Sequence, residues 1–232
     1  MRHLTPLALA AFLLCAGCEC NESPHAKTET METPAAAAKP VETYPLDAKG
    51  YIRNWLVLAP INFGAGYVAD DIDKNQVPNE ANLAPKEGDK QTVKSEEGTP
   101  PKMVDKEFTW VKVTPADYFI DFNAVAKLDS STGTGAYAVA YLNAPEEIKG
   151  VTLSLSTNDD GKIFLNGKKV WSLVVGRQLA EDSDTVADQT LNKGVNVLVF
   201  KVWNDSNAWQ ACLRLLDKGG QPLKNVRVQL QK

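Results

Sequence analysis

Hydrophobic positions in this chain alternate more often than they recur every three or four residues. In Val151-Thr152-Leu153-Ser154-Leu155-Ser156 every second residue is apolar and its neighbours are hydroxylic. Strand side chains point to opposite faces in turn, so this pattern predicts a strand with one buried and one wet face. Trp55-Leu56-Val57-Leu58-Ala59-Pro60 is apolar and ends at a proline, which predicts a buried strand. Residues 108–113, 118–122, 136–142, 197–203, 209–216 and 226–230 predict further strands, the first with Phe108 and Trp110 on one side. Lys162 to Leu165 and Lys168 to Leu173 flank Asn166-Gly167. That dipeptide is a strong hairpin signal, because a type I′ turn needs positive φ at both central residues. A hairpin alone cannot bury its apolar side chains, so other strands must cover it. About nine short strands between turn signals, with no long helix, predict an all-β fold: a β-sandwich or jelly roll.

Two stretches lack such a pattern. Residues 18–49 hold Ser23-Pro24, Thr33-Pro34, an alanine run and Lys39-Pro40, with charges and no apolar period. That composition cannot offset its own ordering entropy and predicts a disordered tether ahead of a domain over residues 50–232. From Ala69 to Lys106 the chain turns polar again, with a short helix predicted near Val77 to Leu83. A loop of this length inside a domain is expected to be functional or mobile.

The first residues read as a secretory leader. Arg2 is positive, and Leu7 to Leu14 is an apolar run too short to span a bilayer. Ala16-Gly17-Cys18 follows and resembles the bacterial lipobox, in which the cysteine becomes the lipidated first residue. Cys15 stands where that motif usually has an aliphatic residue. The expectation is a signal peptide over residues 1–17, lipidation at Cys18 and a membrane anchor in the cell envelope, outside the cytoplasm. Cys20 lies in the tether and Cys212 in an apolar strand, so no disulfide framework is expected.

Charge and histidine content exclude whole classes of function. The formal net charge is −4, without a basic stripe, which argues against nucleic acid as a partner. Both histidines, His3 and His25, precede the predicted domain. That removes histidine-based triads, general bases and zinc sites. Paired carboxylates could still serve a glycosidase, but Asp in Asn158-Asp159-Asp160-Gly161 is above all a turn former. No enzymatic activity is expected.

The motifs "NDDGKIFLNGKKVW", "LNKGVNVLVFKVWND" and "WQACLRLLDKGGQPL" resemble the galactose-binding-like β-jelly-roll family. The likeness reaches back to "YIRNWLVLAPINFG" and spans roughly residues 50–232. It is nearest to the sugar-binding domain of family-two glycoside hydrolases and to related bacterial accessory domains. The resemblance implies a non-catalytic module that binds glycan or polysaccharide. A structural or assembly subunit contacting a protein partner is the alternative, since fold alone does not decide.

Sugar recognition needs a flat aromatic face and hydrogen-bonding amides, carboxylates or guanidinium groups. Core packing is expected for Trp55, Trp110 and Trp209. Trp171 lies on the hairpin's return strand and Trp203 where a strand meets a polar loop. With Asn158, Asp159, Arg177 and Asn204 they form the candidate ligand site. Relatives of this fold often carry a structural calcium, which makes Asp182 and Asp184, in Glu181-Asp182-Ser183-Asp184, the candidate metal ligands. A second acidic run, Asp71-Ile72-Asp73, departs from a calcium loop at its sixth and twelfth positions, Gln76 and Asn82.

Overall fold

A computed structural model describes residues 40–63 and 72–232. The predicted leader, Cys18, Cys20 and most of the tether lie outside the described residues. Asn166 and Gly167 have φ of 51° and 81°, so the hairpin turns where the sequence says it should. The turn joins β9 (Asp160–Leu165) to β10 (Lys168–Leu173). The Asn166 side chain accepts from Val197 N at 2.9 Å and donates to Asn196 Oδ1 at 2.8 Å. Those bonds pin the turn to β12 (Gly194–Asn207), which pairs with β9 on one side and with β7 (Ser131–Ala144) on the other. The far edge of β7 carries β14 (Arg227–Gln229), with β1 (Thr43–Pro45) beyond it, and β2 (Trp55–Asn62), which also pairs β5 (Val111–Val113). The smaller sheet runs in the order β11 (Asp184–Leu191), β8 (Ile148–Asn158), β13 (Gln210–Leu216), β6 (Ile120–Asp121). Every pairing is antiparallel, and the molecule is an all-β sandwich.

Between the sheets, Ala136, Ala138, Ala140 and Leu142 of β7 and Leu198, Phe200 and Val202 of β12 meet Leu153 and Leu155 of β8 and Leu213 and Leu215 of β13. This is the alternation read from the sequence, buried as one core. Trp55 and Trp209 lie in it, as expected. Among the described residues there are fourteen strands rather than about nine. β1 pairs with β14, so residues 40–49, expected as tether, lie within the described domain.

The polar stretch before β5 is ordered from Ile72 onward. It holds a 3-10 turn (Glu80–Asn82) and a hairpin of β3 (Lys90–Glu97) and β4 (Lys102–Thr109). It straps the outer face of the large sheet, setting Val77, Leu83, Val93 and Trp110 on Leu56, Leu58, Tyr137, Val139, Tyr141 and Val199. So few apolar residues, so widely spaced, give no periodic signal. The exposed hairpin residues form ion pairs such as Lys94–Asp105 (2.6 Å), worth little individually. The strand expected over 118–122 shortens to β6, and α1 (Phe122–Ala126) follows, capped by the Asp121 side chain accepting from Ala124 N.

A buried charge cluster fastens the strap. Tyr137, Lys201 and Lys162 sit in one cross-strand row on β7, β12 and β9. All three converge on Glu80, whose Oε1 is 2.8 Å from Lys162 Nζ. Its Oε2 is 3.3 Å from Lys201 Nζ and accepts from Tyr137 Oη at 2.6 Å. Lys201 Nζ also donates to the carbonyls of Ile72 and Lys74, at 3.0 and 2.6 Å. Burial pulls the Lys201 ammonium down to about 8, while Glu80 works in the opposite direction.

Candidate functional site

At one end of the sandwich three chain crossings between the sheets meet. Asp159 links β8 of the small sheet to β9 of the large one, and Ala208-Trp209 links β12 to β13. Residues 174–183 carry the chain from β10 back to β11. A cleft of about 530 Å³ opens among them. Its floor is Asn158 and Asp159; Arg177, Gln178 and Leu179 form one wall. Ser206 to Ala208 and Gln210 form the other.

The floor residues hold the walls together. Asp159 Oδ1 accepts from Arg177 N at 3.1 Å and Oδ2 from Asp205 N at 2.8 Å, so one carboxylate ties both loops. With its amide nitrogen toward the carbonyls, Asn158 donates to Arg177 O at 3.1 Å and Ala208 O at 2.9 Å. Arg177 folds back on the floor strand: Nε donates to Thr157 O at 3.0 Å, and Nη2 to Thr157 Oγ1 at 3.1 Å and Asp184 Oδ2 at 2.5 Å. Asp160 is 2% exposed and accepts from Val175 N at 2.5 Å. Burial raises its carboxyl above the usual range, Asp205 adds to the rise, and the Val175 N–H and Arg177 oppose it.

The charges of the cleft are therefore compensated within the protein. What remains free is neutral. The side-chain amides of Gln178 and Gln210 have no hydrogen-bond partner among the described residues. Ser206 and Asn207 are exposed beside them, bonded to each other at 3.2 Å. Nothing in the sequence singled out these four. An amide in a polar loop carries no signal until folding sets it on a cleft wall.

Of the predicted ligand residues, Asn158, Asp159 and Arg177 come together here; Trp171, Trp203 and Asn204 do not. Trp203 is fully buried with its ring centroid 4.1 Å from that of Phe63, so it is a core side chain and not a sugar platform. Trp171 is half-buried, edge-on to Phe200 at 6.3 Å, and covers Gly161, where a Cβ would come within 2.7 Å of the indole. Asn204 is fully buried and donates to Ser131 O and Oγ, both at 2.9 Å.

The acidic cluster also departs from expectation. Asp182 forms a two-pronged pair with Arg214, Nε to Oδ1 at 2.7 Å and a close Nη2 to Oδ2 contact, and accepts from Ser154 Oγ at 2.5 Å. Asp184 goes to Arg177 instead. Glu181 accepts from Tyr51 Oη at 2.9 Å and pairs with Lys49, which together lower its carboxyl. The two aspartates are neutralised by different guanidinium groups. Among the described residues no three acidic, histidine or cysteine groups gather as a metal site. Asp73 turns to Lys162 at 3.2 Å, a bond that lowers its carboxyl. The same segment corrects the reading of β8: Ser154 and Ser156 are buried beneath residues 180–183, so this part of the hydroxylic face is not wet.

Fold and site define a β-sandwich module with a polar cleft where its sheets exchange strands. No protein-family model matches the chain, and no curated protein does. Among solved structures it is similar to the PA14 domain of MpAFP antifreeze protein, covering 84% of this chain and 96% of that one. The identity is 11% and the TM-score 0.37, a distant likeness.

Proposed function

We propose that this protein is a lipid-anchored cell-envelope protein. In this reading its β-sandwich, of the galactose-binding-like kind, is a non-catalytic module that binds an uncharged glycan in the end cleft. The observation that carries this is the division of labour in the cleft. Its ionic groups bond one another and the loop backbones, while neutral amides and a hydroxyl face the opening. Such groups exchange hydrogen bonds with sugar hydroxyls and give a charged ligand no counter-charge. An open polar site buries little apolar area, so dissociation constants of micromolar to millimolar, about −8 to −4 kcal/mol, are expected. The anchor rests on Arg2, the apolar run after it, and Ala16-Gly17-Cys18.

Calorimetric titration with neutral and acidic polysaccharides tests the binding. A neutral polymer should bind with an affinity that is flat with ionic strength. Gln178→Ala and Gln210→Ala should each weaken it about tenfold, near 1.4 kcal/mol, with the melting temperature unchanged because neither amide bonds the protein. Preference for an acidic polymer with steep salt dependence, or no response to any glycan, overturns the proposal.

A further inference from the structure

We infer that the end cleft is one part of a longer groove, whose ligand is a neutral polysaccharide chain held over several sugar rings. This deepens the glycan-binding reading above and rests on it. Ala211 of β13 and Ile120 of β6 face the core, so their strand neighbours Gln210 and Asp121 face outward. Asn158 pairs Gln210, and Gln210 pairs Asp121, which makes one cross-strand row over β8, β13 and β6. Asn158 belongs to the cleft floor and Gln210 to its wall. Asp121 lines a second depression of about 390 Å³, with Phe119, Ala116, Asp117 and the α1 residues Ala124 and Val125. Neighbouring strands lie about 4.8 Å apart, so the row runs roughly 10 Å from the cleft floor into that depression. A second tie joins the two. Asn123 of α1 donates from Nδ2 to the carbonyl of Asn207, in the same wall as Gln210, at 2.7 Å.

The two depressions differ in chemistry. The cleft offers neutral amides and a hydroxyl, whereas the second depression is an apolar surface built around a ring. Phe119 is partly exposed, and its ring stands perpendicular to that of Tyr118, with centroids 5.3 Å apart. Tyr118 in turn lies 5.2 Å from the buried Tyr51, so the Phe119 ring is held in place before any ligand arrives. A sugar ring presents hydroxyls at its edge and C–H groups on its faces. Phe119 takes a face, while the amides of the cleft take the edges. Asp117 is exposed, and Asp121 Oδ1 accepts from Ala124 N at 3.2 Å. Two carboxylates beside the ring accept from sugar hydroxyls and repel an acidic polymer. A disaccharide occupies the cleft alone; a longer chain engages both parts.

Calorimetry on the full chain with cello-, manno- and galacto-oligosaccharides of two and six rings tests this. Within the series that binds, the six-ring chain should bind about thirtyfold more tightly than the two-ring one, because the second contact forms within the complex. Phe119→Ala should remove most of that gain and leave the affinity for two rings unchanged. Ala124→Leu fills the depression from an exposed helix position without deleting a contact. It should have the same effect, and it decides the matter if loss of the ring lowers the melting temperature. Gln210→Ala should weaken both lengths alike. Equal affinity for the two lengths, or a gain that survives Ala124→Leu, as sliding registers on a short site would give, overturns the longer groove and leaves glycan binding in the cleft standing. No binding of any of these sugars removes the glycan reading and this inference with it.

Discussion

Gly167 shows how much one position can carry. Its φ of 81° is a left-handed conformation that a side chain resists, and an added Cβ would come within 2.4 Å of Asn82 Oδ1 on the strap. Gly167→Val therefore strains the turn and collides with a segment far away in the sequence. Backbone outliers of this kind cost about 1–3 kcal/mol, and a domain's total margin is only about 5–15 kcal/mol. The variant should melt several degrees lower in a thermal scan, and an unchanged midpoint would contradict the turn geometry. The glycine's role was legible, because the type I′ signal is local. The roles of the tryptophans were not. Trp171 and Trp203 stand next to polar residues in the sequence, yet Trp203 is fully buried and Trp171 is packed on Gly161. Adjacent strand residues face opposite sides of a sheet, so polar neighbours say nothing about what covers the ring.

The strap is the element that sequence reasoning misjudged. Residues 72–113 bury Val77, Leu83, Val93 and Trp110 across both the 3-10 turn and the hairpin, and one buried carboxylate, Glu80, faces two buried lysines. Removing one member of a buried ionic set leaves the others uncompensated, at about 3–5 kcal/mol. Glu80→Ala should lower the unfolding free energy by an amount of that order, and the denaturant midpoint with it. It should also make the strap the first site of proteolytic nicking, read by mass spectrometry of the fragments. Glu80→Gln keeps the shape and part of the hydrogen bonding and should fall between the two. If Glu80→Ala unfolds at the parent's denaturant concentration and is cut no faster, Glu80 does not hold the strap. Lys162 and Lys201 fall within predicted strands. Nothing in their own strands announces that Glu80, about eighty residues earlier than Lys162, is their partner.

For the whole molecule, strand order brings three crossings between the two sheets to one end, where the cleft opens. Among the described residues no helix is long and apolar enough to cross a membrane. The proposed attachment rests on the leader and Cys18. Cys18→Ala should give a precursor that keeps its leader and takes up no radiolabelled fatty acid, whereas the parent is labelled and shortened. Equal labelling of the two proteins would rule out acylation at Cys18. Residues 40–49, read as tether, lie in the domain.

The sequence by itself determined whatever depends on near neighbours. Period-two apolar patterns gave the strands of both sheets, Asn166-Gly167 gave the hairpin, and the absence of histidine beyond His25 removed its chemistry from the domain. It named Asn158, Asp159 and Arg177, which line one cleft, together with Trp171, Trp203 and Asn204, which do not. Only the tertiary structure decided which side chains face an opening. Gln178 and Gln210 reach one cleft because two separate crossings between the sheets meet there, whereas Asn204 turns inward to Ser131. Only the tertiary structure sent Asp182 and Asp184 to different arginines, and closed the strap on Glu80. Partner choice for a buried charge or amide is set by which distant strands lie alongside, and that pairing is a property of the whole sheet.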